Sequence, residues 1–178
     1  IEKVKELFGD NVYGVDIGSL QAALVAELQK KGLKVATAES CTGGLVSKRI
    51  TEVAGASQVF DCGICSYANQ IKERVLGVSH ETLETLGAVS EKTAAQMAAG
   101  VRKLAQADIG VATTGIAGPD GGTGEKPVGL VYVGVDSENY STVLECRLSR
   151  GYRDERELIR YLASSHALRL ALTAARKA

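Results

Sequence analysis

The chain contains no tryptophan, two phenylalanines and six tyrosines in 178 residues. So few flat side chains argue against a platform on which nucleic-acid bases would stack. They also leave aliphatic residues and alanine to fill the core. Charge of one sign is equally lacking: 21 basic and 21 acidic residues cancel, so no global field draws the chain toward nucleic acid or a membrane surface. No run of eighteen apolar residues exists, which excludes a spanning helix. No basic segment followed by an apolar one opens the chain, so no secretion signal is expected. Only two histidines occur, His80 and His166; one falls at a helix start and one within an amphipathic C-terminal helix, and both read as structural or solvated.

What is present is an ordinary soluble composition, 45% hydrophobic and 24% charged, at a length that buries the core of one domain. Ile1 in place of methionine suggests a piece of a longer protein. The four cysteines are Cys41, Cys62, Cys65 and Cys146. Cys62 and Cys65 form a C-x-x-C within "VFDCGICSY", which reads as a strand. There, residues three apart point to opposite faces and cannot chelate one ion. The cysteines are therefore expected to be buried and reduced, a usage that suits the cytoplasm.

Patterning gives the element order. "SLQAALVAELQKKG" is a helix with Ser19 as N-cap and Gly32 as its stop. "LKVATAES" is a first strand, and a helix is expected from Thr42 through "LVSKRITEVA". "SQVFDCGICSY" is a second strand, followed by "NQIKERVLG", a short helix capped by Asn69. Ser79 and Ser90 cap two more helices. "DIGVATTG" is a third strand, and it releases the loop "IAGPDGGTGEKP". "VGLVYVGVD" and "YSTVLECRL" form a hairpin across "SENY", and a last helix runs from about Asp154 to the end. Helix-separated strands read as parallel units, so the fold expected is α/β: a three-layer α/β/α sandwich on a mixed, mostly parallel sheet of about five strands.

In such sheets ligands bind beyond the carboxyl ends of the parallel strands. Strand one ends at Glu39-Ser40-Cys41, strand two at Tyr67 with Asn69 and Lys72 just beyond, and strand three at Thr113-Thr114-Gly115. A returning fifth strand brings Arg150, Arg153 and Arg156 to the same edge. Without a catalytic histidine, a serine hydroxyl still becomes nucleophilic beside a desolvated lysine. Ser40 with Lys72 fits that pattern; Ser40 equally fits an N-cap for the helix after it. The amides of Thr42 and Gly43, or those of the glycine loop, offer donors to an oxyanion or a phosphate. Arginines would suit a phosphate. Composition and topology thus reach a phosphorylated small substrate attacked at a carbonyl.

"AESCTGG", "YANQIK", "GAVS", "TTGIAGPDGG" and "EKPVG" occur in this order. With them, residues 18–178 resemble the C-terminal domain family of the competence-damage-inducible protein A (CinA), the nicotinamide mononucleotide (NMN) amidohydrolases. The resemblance implies hydrolysis of the NMN carboxamide to nicotinate mononucleotide and ammonia, in pyridine nucleotide recycling, without metal or cofactor. It implies Ser40 and Lys72 as a catalytic pair with Tyr67 beside them. Thr42, Gly43, Asn69, Thr114, Gly115, Ala117 and Gly118 would line the substrate pocket. The family's G-x-R turn before the last helix is longer here, and either Arg153 or Arg156 holds the matching place. "NVYGVD" is similar to the family's interdomain segment, so residues 1–17 are expected to connect to an upstream domain. A homodimer or higher homo-oligomer follows from the same resemblance. The competing expectation is a nucleotide- or phosphate-binding regulatory module without chemistry.

Overall fold

Three helices begin where a serine can turn its hydroxyl back on the chain. Ser19 accepts from the amide of Ala22, Ser79 from Thr82 and Ser90 from Thr93, each at 3.2 Å, satisfying donors that a helix start leaves free. The computed structural model describes residues 2–9 and 12–178; Ile1, Asp10 and Asn11, where the expected connector begins, lie outside the described residues. Its helices are α1 (Glu2–Phe8), α2 (Leu20–Lys31), α3 (Leu45–Thr51), α4 (Asn69–Leu76), α5 (His80–Thr85), α6 (Glu91–Ala105) and α7 (Arg156–Lys177). Its strands are β1 (Val35–Glu39), β2 (Phe60–Cys65), β3 (Ile109–Gly115), β4 (Leu130–Ser137) and β5 (Thr142–Arg147). No helix among the described residues is long and apolar enough to cross a membrane.

The five strands form one sheet in the order β2-β1-β3-β4-β5. β1 runs parallel to β2 and β3, β4 returns antiparallel, and β5 runs antiparallel to β4. This is the mixed three-layer α/β sandwich expected. One core lies between the sheet and α2, α3 and α7, holding Leu24, Leu28, Ile50, Val111, Ile159 and Leu168. The other lies under α4, α5 and α6, with Ala36, Ala38, Leu76, Met97 and Ala112. Even-numbered residues of β1 thus face α4–α6, and odd-numbered ones face α3 and α7, as strand alternation requires.

Both layers are pinned at named points. A Cβ on Gly110 would stand 2.1 Å from the Ala98 carbonyl oxygen, so only glycine lets α6 lie this close to β3. On the opposite face Arg49 is buried and donates to Ser164 and Ser165 at 2.7 and 2.8 Å and to Gln21 at 3.1 Å. One guanidinium, stacked 4.7 Å from the Tyr161 ring centre, therefore ties α2, α3 and α7 together without a carboxylate among its hydrogen-bond partners. Its burial lowers its pKa from the ordinary arginine value.

Four local expectations are corrected. α3 begins at Leu45, not Thr42, because residues 42–44 form a turn. Asn69 is the first residue of α4 and does not cap it; Ala68 holds that position without a side-chain bond. β2 starts at Phe60, because Ala56–Gln58 coil into a 3₁₀ turn. Only Cys41 and Cys146 are buried, while Cys62 is half-buried and Cys65 exposed, all four being free. The alternation of β2 does separate the last two: Cys62 packs against the α4–α6 core, and the Cys65 sulfur lies beside Gly44 before α3.

Candidate functional site

The three parallel strands end level with one another. Glu39 pairs in register with Cys65 of β2 and Thr113 of β3. The ladder continues one step further: the Ser66 amide donates to the Glu39 carbonyl at 2.8 Å, and the Ser40 amide to the Thr113 carbonyl at 2.9 Å. Ser66, Ser40 and Thr114 therefore stand side by side at the strand ends. Alternation sends Glu39 toward α3 and these three toward α4–α6. Thr114 shows that direction, donating to the Ala88 carbonyl at 2.5 Å between α5 and α6.

On the α3 side the acid does structural work. Glu39 is 1% exposed, and its carboxylate accepts from the amides of Val46 at 3.0 Å and Ser47 at 2.8 Å. It also accepts from the hydroxyls of Thr42 and Ser47, both at 2.7 Å. Gly43 and Gly44 adopt φ of +58° and +91°, a conformation that side chains resist. The turn they make swings the start of α3 over the carboxylate. Glu39 thus fills, from a neighbouring strand, the role a capping side chain would play, at the positive end of the helix. Sequence reading had not assigned it a role.

That arrangement decides several earlier alternatives. Ser40 does not cap α3, and its hydroxyl makes no hydrogen bond among the described residues. The Thr42 hydroxyl is fully buried between Glu39 and Thr113, so its side chain holds the turn and does not meet a ligand. The Val46 and Ser47 amides are occupied by Glu39, and the Gly43 amide donates to the Ser40 carbonyl at 3.2 Å. The amide of half-buried Gly44 has no acceptor among the described residues. It is the donor this turn can offer to developing negative charge.

Lys72 rises from α4 on the other side. It is 1% exposed, with its amine donating to the Ser66 carbonyl at 2.6 Å and to the Tyr67 carbonyl at 3.4 Å. Among the described residues no carboxylate pairs with it. Burial lowers its pKa from the ordinary 10.5, which favours the neutral amine, a base. Cys41, adjacent to Ser40, behaves oppositely. Burial, aided by nearby Glu39, pushes its thiol up to about 12, so it stays protonated and unreactive.

Arginine and the glycine loop close the edge. Arg156, at the start of α7, donates to the Gly118 carbonyl at 2.6 Å and to the Tyr67 hydroxyl at 3.1 Å. Arg153 is exposed and makes no side-chain hydrogen bond among the described residues. Glu155 gathers the intervening turn, accepting from Ser149 and the Arg150 amide at 2.6 Å and from the Tyr152 amide at 2.9 Å. The Ser149 hydroxyl, and then these amides, hold its carboxyl below the usual range. Arg160 donates to the Thr42 carbonyl at 2.8 Å. Its spacing of four from Arg156, on one helix face, was the available signal, and neither Arg160 nor Glu155 had been singled out. The loop after Gly115 is pinned by the Gly129 amide on the Ile116 carbonyl at 2.8 Å and by Lys126 on the Leu86 carbonyl at 2.6 Å. Ala117 and Gly118 are buried at its base, whereas Asn69 is exposed at the rim. His80 pairs with Glu73 at 3.3 Å and His166 lies within α7; neither bonds to these residues. No group of three or more potential metal-ligating acids, cysteines or histidines exists among the described residues.

Comparison with known proteins matches residues 17–175 to the family model described as CinA C-terminal domain. A competence-damage inducible protein of Caldanaerobacter subterraneus subsp. tengcongensis is 52% identical over 153 residues, 86% of this chain and 37% of that protein. A CinA-like protein of Kosmotoga olearia is 50% identical over 169 residues, 94% of this chain and 40% of that protein. The chain thus spans about two fifths of the length of these curated relatives. The crystal structure of the competence/damage inducible protein CihA from Agrobacterium tumefaciens superposes with a TM-score of 0.84 at 42% identity, covering 90% of this chain and 96% of that one.

Proposed function

The chain belongs to the CinA C-terminal domain family, and from that premise we propose that it hydrolyses the carboxamide of NMN to nicotinate mononucleotide and ammonia. The observation that carries the reading is Lys72: a fully buried amine with no acid partner among the described residues, held on the Ser66 carbonyl, one ladder step from Ser40. Such an amine is neutral at a lower pH than other lysines and can receive the proton of a nearby hydroxyl.

In the proposed sequence the Ser40 oxygen bonds to the carboxamide carbon as its proton passes to Lys72. The carbonyl electrons move onto oxygen, where the free Gly44 amide of the 41–44 turn, or those of Ala117 and Gly118, receive the charge. The carbon–nitrogen bond then breaks, Lys72 returns its proton to the leaving nitrogen, and ammonia departs. Water, losing a proton to Lys72, releases nicotinate mononucleotide and restores Ser40. Arg156 and Arg160 supply cationic forks for the substrate phosphate. An upstream domain and a homo-oligomer belong to the same reading.

Incubating the protein with NMN and measuring ammonia and nicotinate mononucleotide tests it. Release is expected from the unaltered protein, and its loss in Ser40→Ala and Lys72→Ala with melting preserved. Tight NMN binding without any ammonia would replace the enzyme by a binding module.

A further inference from the structure

Ser66 is completely buried, and its hydroxyl makes no hydrogen bond among the described residues. A buried hydroxyl is costly to leave unpaired, and proteins keep few of them. Among the described residues the one other buried side-chain polar atom without a partner, Nδ1 of His166, belongs to α7. Ser66 instead sits inside the proposed site.

Its position is fixed by the ladder. The Ser66 amide is bonded to the Glu39 carbonyl, so Ser66 and Ser40 are neighbours on adjacent parallel strands, about 4.8 Å apart by ordinary sheet spacing. Ala38 and Ile64, one alternation earlier, both pack toward α4–α6, and Ser40 and Ser66 follow them to that face. Lys72 arrives from the same face, with its amine 2.6 Å from the carbonyl oxygen of Ser66 itself. Ser40 and Lys72 make no hydrogen bond to each other among the described residues. The hydroxyl on the other flank of Ser40, that of Thr114, is already spent on Ala88.

We infer that Ser66 passes the proton between nucleophile and base, so that the site works as a chain of three, Ser40–Ser66–Lys72. This deepens the amidohydrolase reading and rests on it. As the Ser40 oxygen bonds to the carbonyl carbon, its proton moves to the Ser66 oxygen. The proton of Ser66 moves to the Lys72 lone pair in the same step. Ser66 ends unchanged, Lys72 ends as an ammonium, and the charge lost from Ser40 appears on the carbonyl oxygen. The reverse transfer through Ser66 protonates the departing nitrogen.

The test uses a fluorophosphonate, a probe that reacts with activated serines of any specificity, alongside ammonia release from NMN. In the unaltered protein Ser40 is expected to be labelled, with a rate in H₂O/D₂O mixtures that bows downward because two protons move. A straight line would mean direct transfer and overturn the relay, whether or not any variant folds. Ser66→Ala with unchanged melting should slow labelling about a hundredfold, and Ser66→Thr should restore most of it; an unchanged rate in Ser66→Ala overturns the inference. Labelling with these signatures but no ammonia from NMN would leave the relay standing and remove only the substrate. No labelling of Ser40 at all would remove the relay with the nucleophile it serves.

Discussion

The Arg156 guanidinium reaches the Tyr67 hydroxyl at 3.1 Å while its other nitrogen holds the Gly118 carbonyl at 2.6 Å. One residue thereby joins the first turn of α7, the corner between β2 and α4, and the base of the glycine loop. A planar fork can serve two acceptors in fixed directions; an ammonium cannot. Arg156→Lys is therefore expected to lower kcat/KM for NMN by about ten- to a hundredfold, and Arg153→Lys to change it by less than about twofold. Steady-state kinetics of the pair check this, and the reverse ranking would reassign the functional arginine to Arg153.

Lys72 gives a pH prediction with a definite sign. Its pKa is lowered by burial from 10.5, so between the folded value and 10.5 the unfolded chain binds more protons than the folded one. Stability contributed by this residue therefore rises with pH across that interval, and at lower pH the fold carries the cost of a buried cation. Activity should climb with pH as Lys72 loses its proton, with a midpoint below 10.5. Lys72→Met should abolish ammonia release while melting at or above the parent at pH 7, since an apolar chain of similar length needs no partner there. Ammonia from that variant would exclude Lys72 as the base.

Glu39 carries four hydrogen bonds in the dry space beneath α3. Truncation to alanine strands two helix amides and two hydroxyls at once. Glu39→Ala is expected to cost about 2–4 kcal/mol in urea unfolding, and to impair activity because the 41–44 turn loses its anchor. A change under about 0.5 kcal/mol would mean that the turn holds itself.

Gly110 offers a purely steric test. Its missing Cβ would stand 2.1 Å from the Ala98 carbonyl oxygen, which only a shift of α6 could relieve. Gly110→Ala should destabilise by at least about 2 kcal/mol, lowering the urea midpoint with little change in slope. A midpoint equal to the parent's would show that α6 moves freely over the sheet.

The layer plan was readable because each part announces itself locally. Serines ahead of amphipathic runs marked α2, α5 and α6, "SENY" marked the β4–β5 turn, and the spacing of strands by helices required parallel β1, β2 and β3. Topology alone set the strand ends carrying Ser40 and Tyr67, with Lys72 just beyond, at one sheet edge together with Arg150, Arg153 and Arg156. What was not readable depends on contacts distant in sequence. An acid closing a strand looks solvated until Gly43 and Gly44 fold α3 back over it. The choice between Arg153 and Arg156 turns on where α7 starts, and that depends on Glu155 gathering residues 149–152. Asn69 looked like a cap because residue preference alone was considered; the backbone begins α4 one residue earlier than that role requires.

Glu39 and Ser40 are neighbours in the chain, yet they serve opposite sides of the sheet, one bracing a helix and the other presenting a hydroxyl. Sliding β1 by a single position would exchange them, setting a carboxylate beside the buried amine and an alcohol beneath α3. Errors of alignment in this strand thus cannot persist as folded but idle molecules. The same misplacement that would silence the proposed chemistry also removes the brace, so the quality of the pairing is enforced by stability itself.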